Sequence, residues 1–292
     1  MSKLSILMPV YNEEKFIYEA VNSILNQDCN FELIIVNDGS TDRTGEILKE
    51  FDSPKLRILN SIKIGKNAAI NKAYQMAEGE WFAFFAGDDI MPPGSLKDRL
   101  SAIEHYDTDD LVVGLSRLEI QSEDKRYNGI QVPKNKSKGY ATGSTVIFSK
   151  AYANLIFPIP EDYPNEDGWT GLHFQYFSGT TVHIPINSVI YRIHSGNSMQ
   201  RTTDFNVVNA QLHSRNKIYA EFANRHKERL EIGAIEALNS KIRVEELRYQ
   251  GKTLRLALSK GLPMKDKMRA IFYSNRVLYQ IKHQFARFFI GW

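Results

Sequence analysis

Four short apolar stretches recur within residues 1–105: LSILMPV (4–10), ELIIVND (32–38), KLRILNS (55–61) and EWFAFF (80–85). Each reads as a buried strand. Between the first two, Phe16, Ile17, Ala20, Val21, Ile24 and Leu25 fall at helical spacing, with Asn12 as the expected N-cap. Helices are also predicted over 41–51, over 66–77 and, after Pro92-Pro93, through Leu96, Leu100 and Ile103. Strands alternating with helices of this length require an α/β unit, a mostly parallel sheet wrapped by helices.

Ligands of such sheets bind beyond the carboxyl ends of the strands, where loops converge and helix N-termini point. The polar residues at those ends therefore form a set. Pro9, Tyr11, Asn12 and Glu13 follow the first strand, Asp38, Gly39 and Ser40 the second, and Asp88 and Asp89 the fourth. Two adjacent carboxylates repel unless a cation or several donors share their site. Asp109-Asp110 precedes the apolar run LVVGL, at a strand's amino end, and reads as a solvated turn. PVYNEEKF lacks the glycines of a dinucleotide fingerprint, and Gly251-Lys252-Thr253 lacks the upstream glycine of a phosphate loop. An acidic crevice holds a phosphate only with a divalent cation, and an oxygen-rich site with few protein ligands suits Mg²⁺ or Mn²⁺.

The 292 residues are 42% hydrophobic, enough for a large core. Cys29 is the single cysteine, which excludes an intrachain disulfide framework and fits a reducing, cytoplasmic setting. MSKLSILMPV carries no signal-peptide pattern, and no apolar run approaches the ~20 residues that span a bilayer. Charge is uneven. Residues 252–292 hold nine Lys/Arg and one acid, Asp266, against 28 basic and 33 acidic residues in 1–251. Two domains are expected, 1–204 and a helical, basic extension over 205–292. In the extension, Ile271, Leu278, Ile281, Phe285, Phe288 and Trp292 mark one helical stripe. That stripe either packs on the body or lies on an anionic membrane surface with FARFFIGW as its anchor, and the local charge favours the membrane.

PVYNEEKFI, VNDGSTD, GDD after an aromatic strand, NEDGW and YRIHSGNSM occur in that order. Together, over residues 3–200, they resemble the inverting glycosyltransferases of family 2. The resemblance implies a GT-A fold, a Rossmann-like, mostly parallel sheet flanked by helices. It implies that Pro9, Tyr11 and Glu13 line the base and ribose pocket and that Asp38 contacts the nucleobase. Asp88 and Asp89 stand at the acidic metal motif, one toward ribose and one toward the cation, and His194 matches a histidine that reaches the metal or diphosphate. Gly143 matches the glycine loop near donor sugar and acceptor. Glu166 and Asp167 match the family's Glu-Asp pair, whose Asp is the catalytic base. Implied partners are a uridine diphosphate sugar, Mn²⁺ or Mg²⁺, and a glycan or lipid-linked acceptor, with no nucleic acid. The chain departs from the family at Ala86, where many members have a further Asp, and at Ile70 and Ala73, where many have Arg and Gly. Lys66 or Lys72 is expected to replace the lost Arg.

The chemistry agrees with these assignments. A nucleoside diphosphate leaves more easily when a cation offsets its charge, and an acceptor hydroxyl needs a carboxylate to take its proton. No carboxylate stands out as a nucleophile for a retaining route. Simpler readings compete: Glu166 and Asp167 as acids at a helix start, Asp38 as a turn former, Tyr11 as a strand-end aromatic. His173 and His183 read as satisfied structural histidines. Other function classes are a nucleotidyltransferase, which needs a basic triphosphate loop where PVYNEEKF is acidic, and an inactive nucleotide-binding scaffold.

Overall fold

The computed structural model describes residues 3–164, 166–194, 204–259, 261 and 263–284. The chain divides into two compact units, 1–197 and 198–292.

In the first unit the four apolar stretches form β1 (Leu4–Val10), β2 (Phe31–Asp38), β3 (Leu56–Ser61) and β4 (Trp81–Phe84). The helices between them are α1 (Ile17–Leu25), α2 (Thr44–Leu48) and α3 (Lys66–Met76). All eight residues of β2 are buried, as expected of a parallel strand covered on both faces. β1 pairs in parallel with β2 from Leu4↔Phe31 to Val10↔Asn37, and with β4 from Leu4↔Trp81 to Leu7↔Phe84. The chain thus builds outward from β1 through β2 to β3, then returns to the other side of β1. This reversal is the switch point at which α/β sheets open a crevice.

Beyond β4 the sheet becomes mixed. After α4 (Ser95–Ser101), the remaining strands are β5 (Val112–Ser122), β6 (Gln131–Val132), β7 (Val146–Ser149) and β8 (Thr180–Ile193). The sheet order is β3-β2-β1-β4-β7-β5-β6, with β8 also paired to β5. β7 lies antiparallel between β4 and β5, whereas β8 runs parallel to β5. α5 (Lys150–Ile156) and α6 (Glu166–Tyr176) lie between β7 and β8 in the chain.

Asn12 is not the N-cap of α1. The helix starts four residues after the expected position, with Phe16 in the N-cap position. Asn12 instead adopts a left-handed conformation (φ 56°), which asparagine tolerates better than most residues. Its Oδ1 accepts the Thr41 N–H at 2.8 Å, so its side chain joins two loops instead of closing a helix.

The second unit is helical: α7 (Phe205–Asn216), α8 (Ile218–Arg225), α9 (Ile232–Tyr249), α10 (Thr253–Leu258), α11 (Met264–Phe272) and α12 (Arg276–Gln284). Arg248 and Glu245 form a buried ion pair at 2.6 Å on α9, with Glu245 also bonded to His213 and Asn216 of α7. Of the expected aromatic stripe, Phe285, Phe288 and Trp292 lie outside the described residues. Among the described residues, no helix is long and apolar enough to cross a membrane.

Candidate functional site

The loops after β1 and β2 are joined backbone to side chain. Asn12 N–H donates to Ser40 Oγ, Glu13 N–H to Thr44 Oγ1 at 2.7 Å, and Glu14 N–H to Asp42 Oδ2. Pro9 sits half-buried near the end of β1, and Tyr11 projects 41% exposed just past it. Asp38 is buried, and its carboxylate accepts the N–H groups of Ile64 (2.6 Å) and Gly65. Gly39 lets this turn press on the following loop. It has φ +69°, and a Cβ there would lie 2.5 Å from Lys63 N.

A cation that the sequence did not single out stands beside Asp38. Lys63 Nζ lies 2.9 Å from Asp38 Oδ2 and 3.1 Å from the centroid of the Tyr11 ring. Lys72 reaches Ser61 Oγ, and Lys66 points toward α6. The reason is local. Lys66 opens α3 and follows the helix, whereas Lys63 belongs to the loop that Asp38 gathers in.

The Gly87-Asp88-Asp89 segment is held against β8. Ile90 and Ile190 exchange backbone hydrogen bonds at 3.1 and 2.8 Å. Arg192 secures the same segment: its N–H donates to Asp89 Oδ1 at 3.1 Å, and its guanidinium bonds to Asp88 O and, at 2.5 Å, to Glu19. Asp89 is therefore a buried acceptor, 2% exposed. Asp88 is more open, and its Oδ2 lies 3.1 Å from His194 Nε2. The His194 ring rests on Phe16, centroids 4.3 Å apart.

These carboxyls burden one another. Burial, and then the neighbouring Asp88, push Asp89 well above the ordinary carboxyl range. Burial likewise leads, with Asp88 and Asp42 behind it, in pushing Glu13 up to about 8. An unfolded chain titrates Glu13 near 4.5, so between the two values the folded state holds a proton that the unfolded state lacks. Stability therefore falls as pH rises through that window. Glu13→Gln is expected to melt above the parent at about pH 9 and level with it at about pH 4, which thermal melts across pH would register.

The second half of the site is the first turn of α6. Lys66 Nζ lies 2.8 Å from Glu166 Oε1. Burial works against the Lys66 charge, yet Glu166, with Asp167 and Asp88 behind it, holds the ammonium above its ordinary range. Glu166 is 5% exposed, and its Oε2 has no hydrogen-bond partner among the described residues. Asp167 lines a small cleft with Phe84, Thr142, Gly143, Gly171 and Phe174. A Cβ on Gly143 would stand 3.7 Å from Glu166 Oε1, so the glycine turn and the acidic turn face each other. The segment leading into α6 is tethered by α3. Asn67 Nδ2 donates to Pro160 O and Tyr163 O, and Asn71 both donates to Ile159 O and accepts the Ile159 N–H. His173 is fully buried with Nδ1 against Trp169 O, and His183 accepts the Gly139 N–H, so both serve structure.

Sequence reasoning missed Lys63, Arg192, Asn67 and Asn71. Two signals pointed to the last three. Arg192 stands two residues before His194, on the same side of an extended strand. Asn67 and Asn71 are a poor helix former repeated at i, i+4, a pattern that asks for side-chain partners. Among the described residues, no three His, Cys, Asp or Glu side chains converge as a ready cation cage. Asp88 and His194 are a pair.

The fold and motifs have known counterparts. The chain is 26% identical over 283 residues to the poly(ribitol-phosphate) β-N-acetylglucosaminyltransferase TarS of Staphylococcus aureus, covering 84% of this chain and 47% of that protein. It is 27% identical over 218 residues to the glycosyltransferase GlyA of Streptococcus pneumoniae, covering 66% of this chain and 31% of that one. It therefore spans less than half the length of these relatives. Crystal structures of S. aureus TarS 1–349 with UDP and with UDP-GlcNAc superpose with TM-scores of 0.58 and 0.57. Both are 21% identical and cover 97% of this chain and 91–92% of theirs, a likeness of fold. The sheet with its flanking helices is thus the GT-A arrangement. The model of the family described as glycosyl transferase family 2 matches residues 5–157, more than half of the sequence. The chain belongs to glycosyltransferase family 2.

Proposed function

We propose that the chain transfers a sugar, with inversion, from a uridine diphosphate sugar to a hydroxyl of a glycan or lipid-linked acceptor at the inner face of a membrane. One observation carries this reading. The Lys66 ammonium bonds to Glu166 and is held charged also by Asp167 and by Asp88, itself paired with His194. The uridine nucleotide is supported by the UDP and UDP-GlcNAc complexes of the TarS structures.

In this reading Tyr11 and Pro9 flank the base, Asp38 and Lys63 border it, and Glu13 meets the ribose. A base stacking on Tyr11 must move the Lys63 ammonium off the ring face. The residues present fit a divalent cation. One carboxylate and one imidazole stand together, and the Asp88 charge, behind burial, adds to what raises the Glu13 and Asp89 carboxyls. Asp88 and His194 would hold Mn²⁺ or Mg²⁺, with Asp89 steadying the segment through Arg192. When bound, the cation offsets the charge that develops on the leaving diphosphate. Asp167 takes the proton of the acceptor hydroxyl during its attack. Glu166, steadied by Lys66 through Oε1, offers its Oε2 to a sugar hydroxyl, and Gly143 leaves room for the ring. A base on one side of the sugar and a leaving group on the other yield a single displacement. The nucleotidyltransferase alternative loses support, because the loop after β1 carries Glu13 and Glu14 where a triphosphate needs cations.

Calorimetry with UDP, GDP and ADP, each with and without Mn²⁺, tests the reading. Binding that favours UDP and strengthens with the metal is expected. Equal affinity for all three, unmoved by Mn²⁺, would overturn it.

A further inference from the structure

The helical unit leaves apolar side chains in water in a regular way. On α10, Leu256 is fully buried while Leu254 and Leu258 are 83% and 82% exposed. α12 repeats the arrangement, with Tyr279 buried and Val277 and Ile281 exposed. On α11, Met264 is 70% exposed and Met268 is exposed as well. Each exposed pair is spaced i, i+4, so its members stand one turn apart on one face of their helix. On α10 and α12 the buried residue is two positions from each partner, about 200° around the axis. These helices therefore pack by one residue and present two on the opposite side. Isolated exposed apolar residues are ordinary, but three such pairs within 254–281 on successive helices are not.

The charges around the pairs are predominantly of one sign. Lys252, Arg255, Lys265, Arg269 and Arg276 are exposed, and Asp266 is the only acid from 252 onward. We infer that α10–α12 form a docking surface for an anionic lipid bilayer. Leucine and methionine side chains enter the acyl boundary, methionine adapting to an irregular surface, while the Lys and Arg stems extend along it with their charges at the headgroups. A second copy of the chain suits the surface poorly, because a two-fold contact sets the same basic patch against itself. Nucleic acid would use the charges but leave the leucines in water. The inference deepens the reading of a membrane-held acceptor, yet it rests on its own geometry.

Flotation of the full chain with phosphatidylcholine vesicles, with and without phosphatidylglycerol, tests it, alongside UDP binding on the same samples. Wild type is expected to float with the phosphatidylglycerol vesicles, less so as salt rises, and to leave pure phosphatidylcholine vesicles largely unbound. Leu254→Ser/Leu258→Ser should bind at least about tenfold more weakly, since burying even one such side chain is worth that much. Its melting temperature should be unchanged, because both side chains already lie in water. Arg255→Glu/Arg269→Glu should abolish the preference for anionic lipid. Wild type that ignores phosphatidylglycerol vesicles overturns the inference. So does a concentration-dependent dimer in sedimentation that the double serine variant loses. Vesicle binding without UDP binding would instead keep the surface and reject the transferase reading.

Discussion

Asp167→Asn is expected to lower glycosyl transfer by about 10²–10⁴-fold, the range for loss of a general base, while UDP affinity stays near that of the parent. Asparagine keeps the shape at the first turn of α6 and can still accept the Gly168 N–H, which Asp167 Oδ1 takes at 2.8 Å. What it cannot do is accept the proton of the attacking hydroxyl. Lys66 and Glu166 hold the neighbouring charge in place without it. Rate measurements at saturating donor, paired with calorimetry for UDP, separate the two effects. A variant with turnover close to the parent would exclude Asp167 as the base.

Asp88→Asn is expected to remove the Mn²⁺-dependent gain in UDP affinity. Even residues that only support metal ligands typically contribute about 10–100-fold to metal affinity, so a ligand should cost at least that. Asp89→Asn should be the milder change despite its adjacency. Asp89 is buried, its carboxyl is already pushed toward the neutral form, and its Oδ1 accepts the Arg192 N–H. An amide oxygen can accept that bond. UDP titrations with and without Mn²⁺ on both variants check the contrast. The assignment fails if Asp88→Asn keeps the full metal response.

The parallel half of the fold was legible because β1, β2 and β4 are apolar runs and their helices carry periodic faces. Local pattern is enough for such elements. The mixed half was not, because its pairings are long-range and its strands are less apolar. β8 mixes exposed, half-buried and buried residues along its length, so its run from Thr180 to Ile193 carries no buried-strand signature. The candidate site divides in the same way. Its acids were visible at strand ends and in ordered motifs. Their pairings had no local signal, since Asp88 meets His194 across 106 residues and Lys66 meets Glu166 across 100, and His194 entered only through the family resemblance. Lys63 was invisible for a further reason. Nothing in SIKIGK distinguishes a loop lysine drawn in by Asp38 from one left in solvent.

α3 has a consequence beyond covering the sheet. Just before it, Ile64 and Gly65 are fastened to Asp38; within it, Lys66, Asn67 and Asn71 grip the segment from Ile159 to Glu166. The proposed nucleotide slot and the proposed catalytic turn are therefore mounted on one rod of 11 residues. A helix so short has little slack to absorb a displacement at either end. An insertion between Ser61 and Gly65 is therefore expected to disturb the acidic turn together with the base pocket.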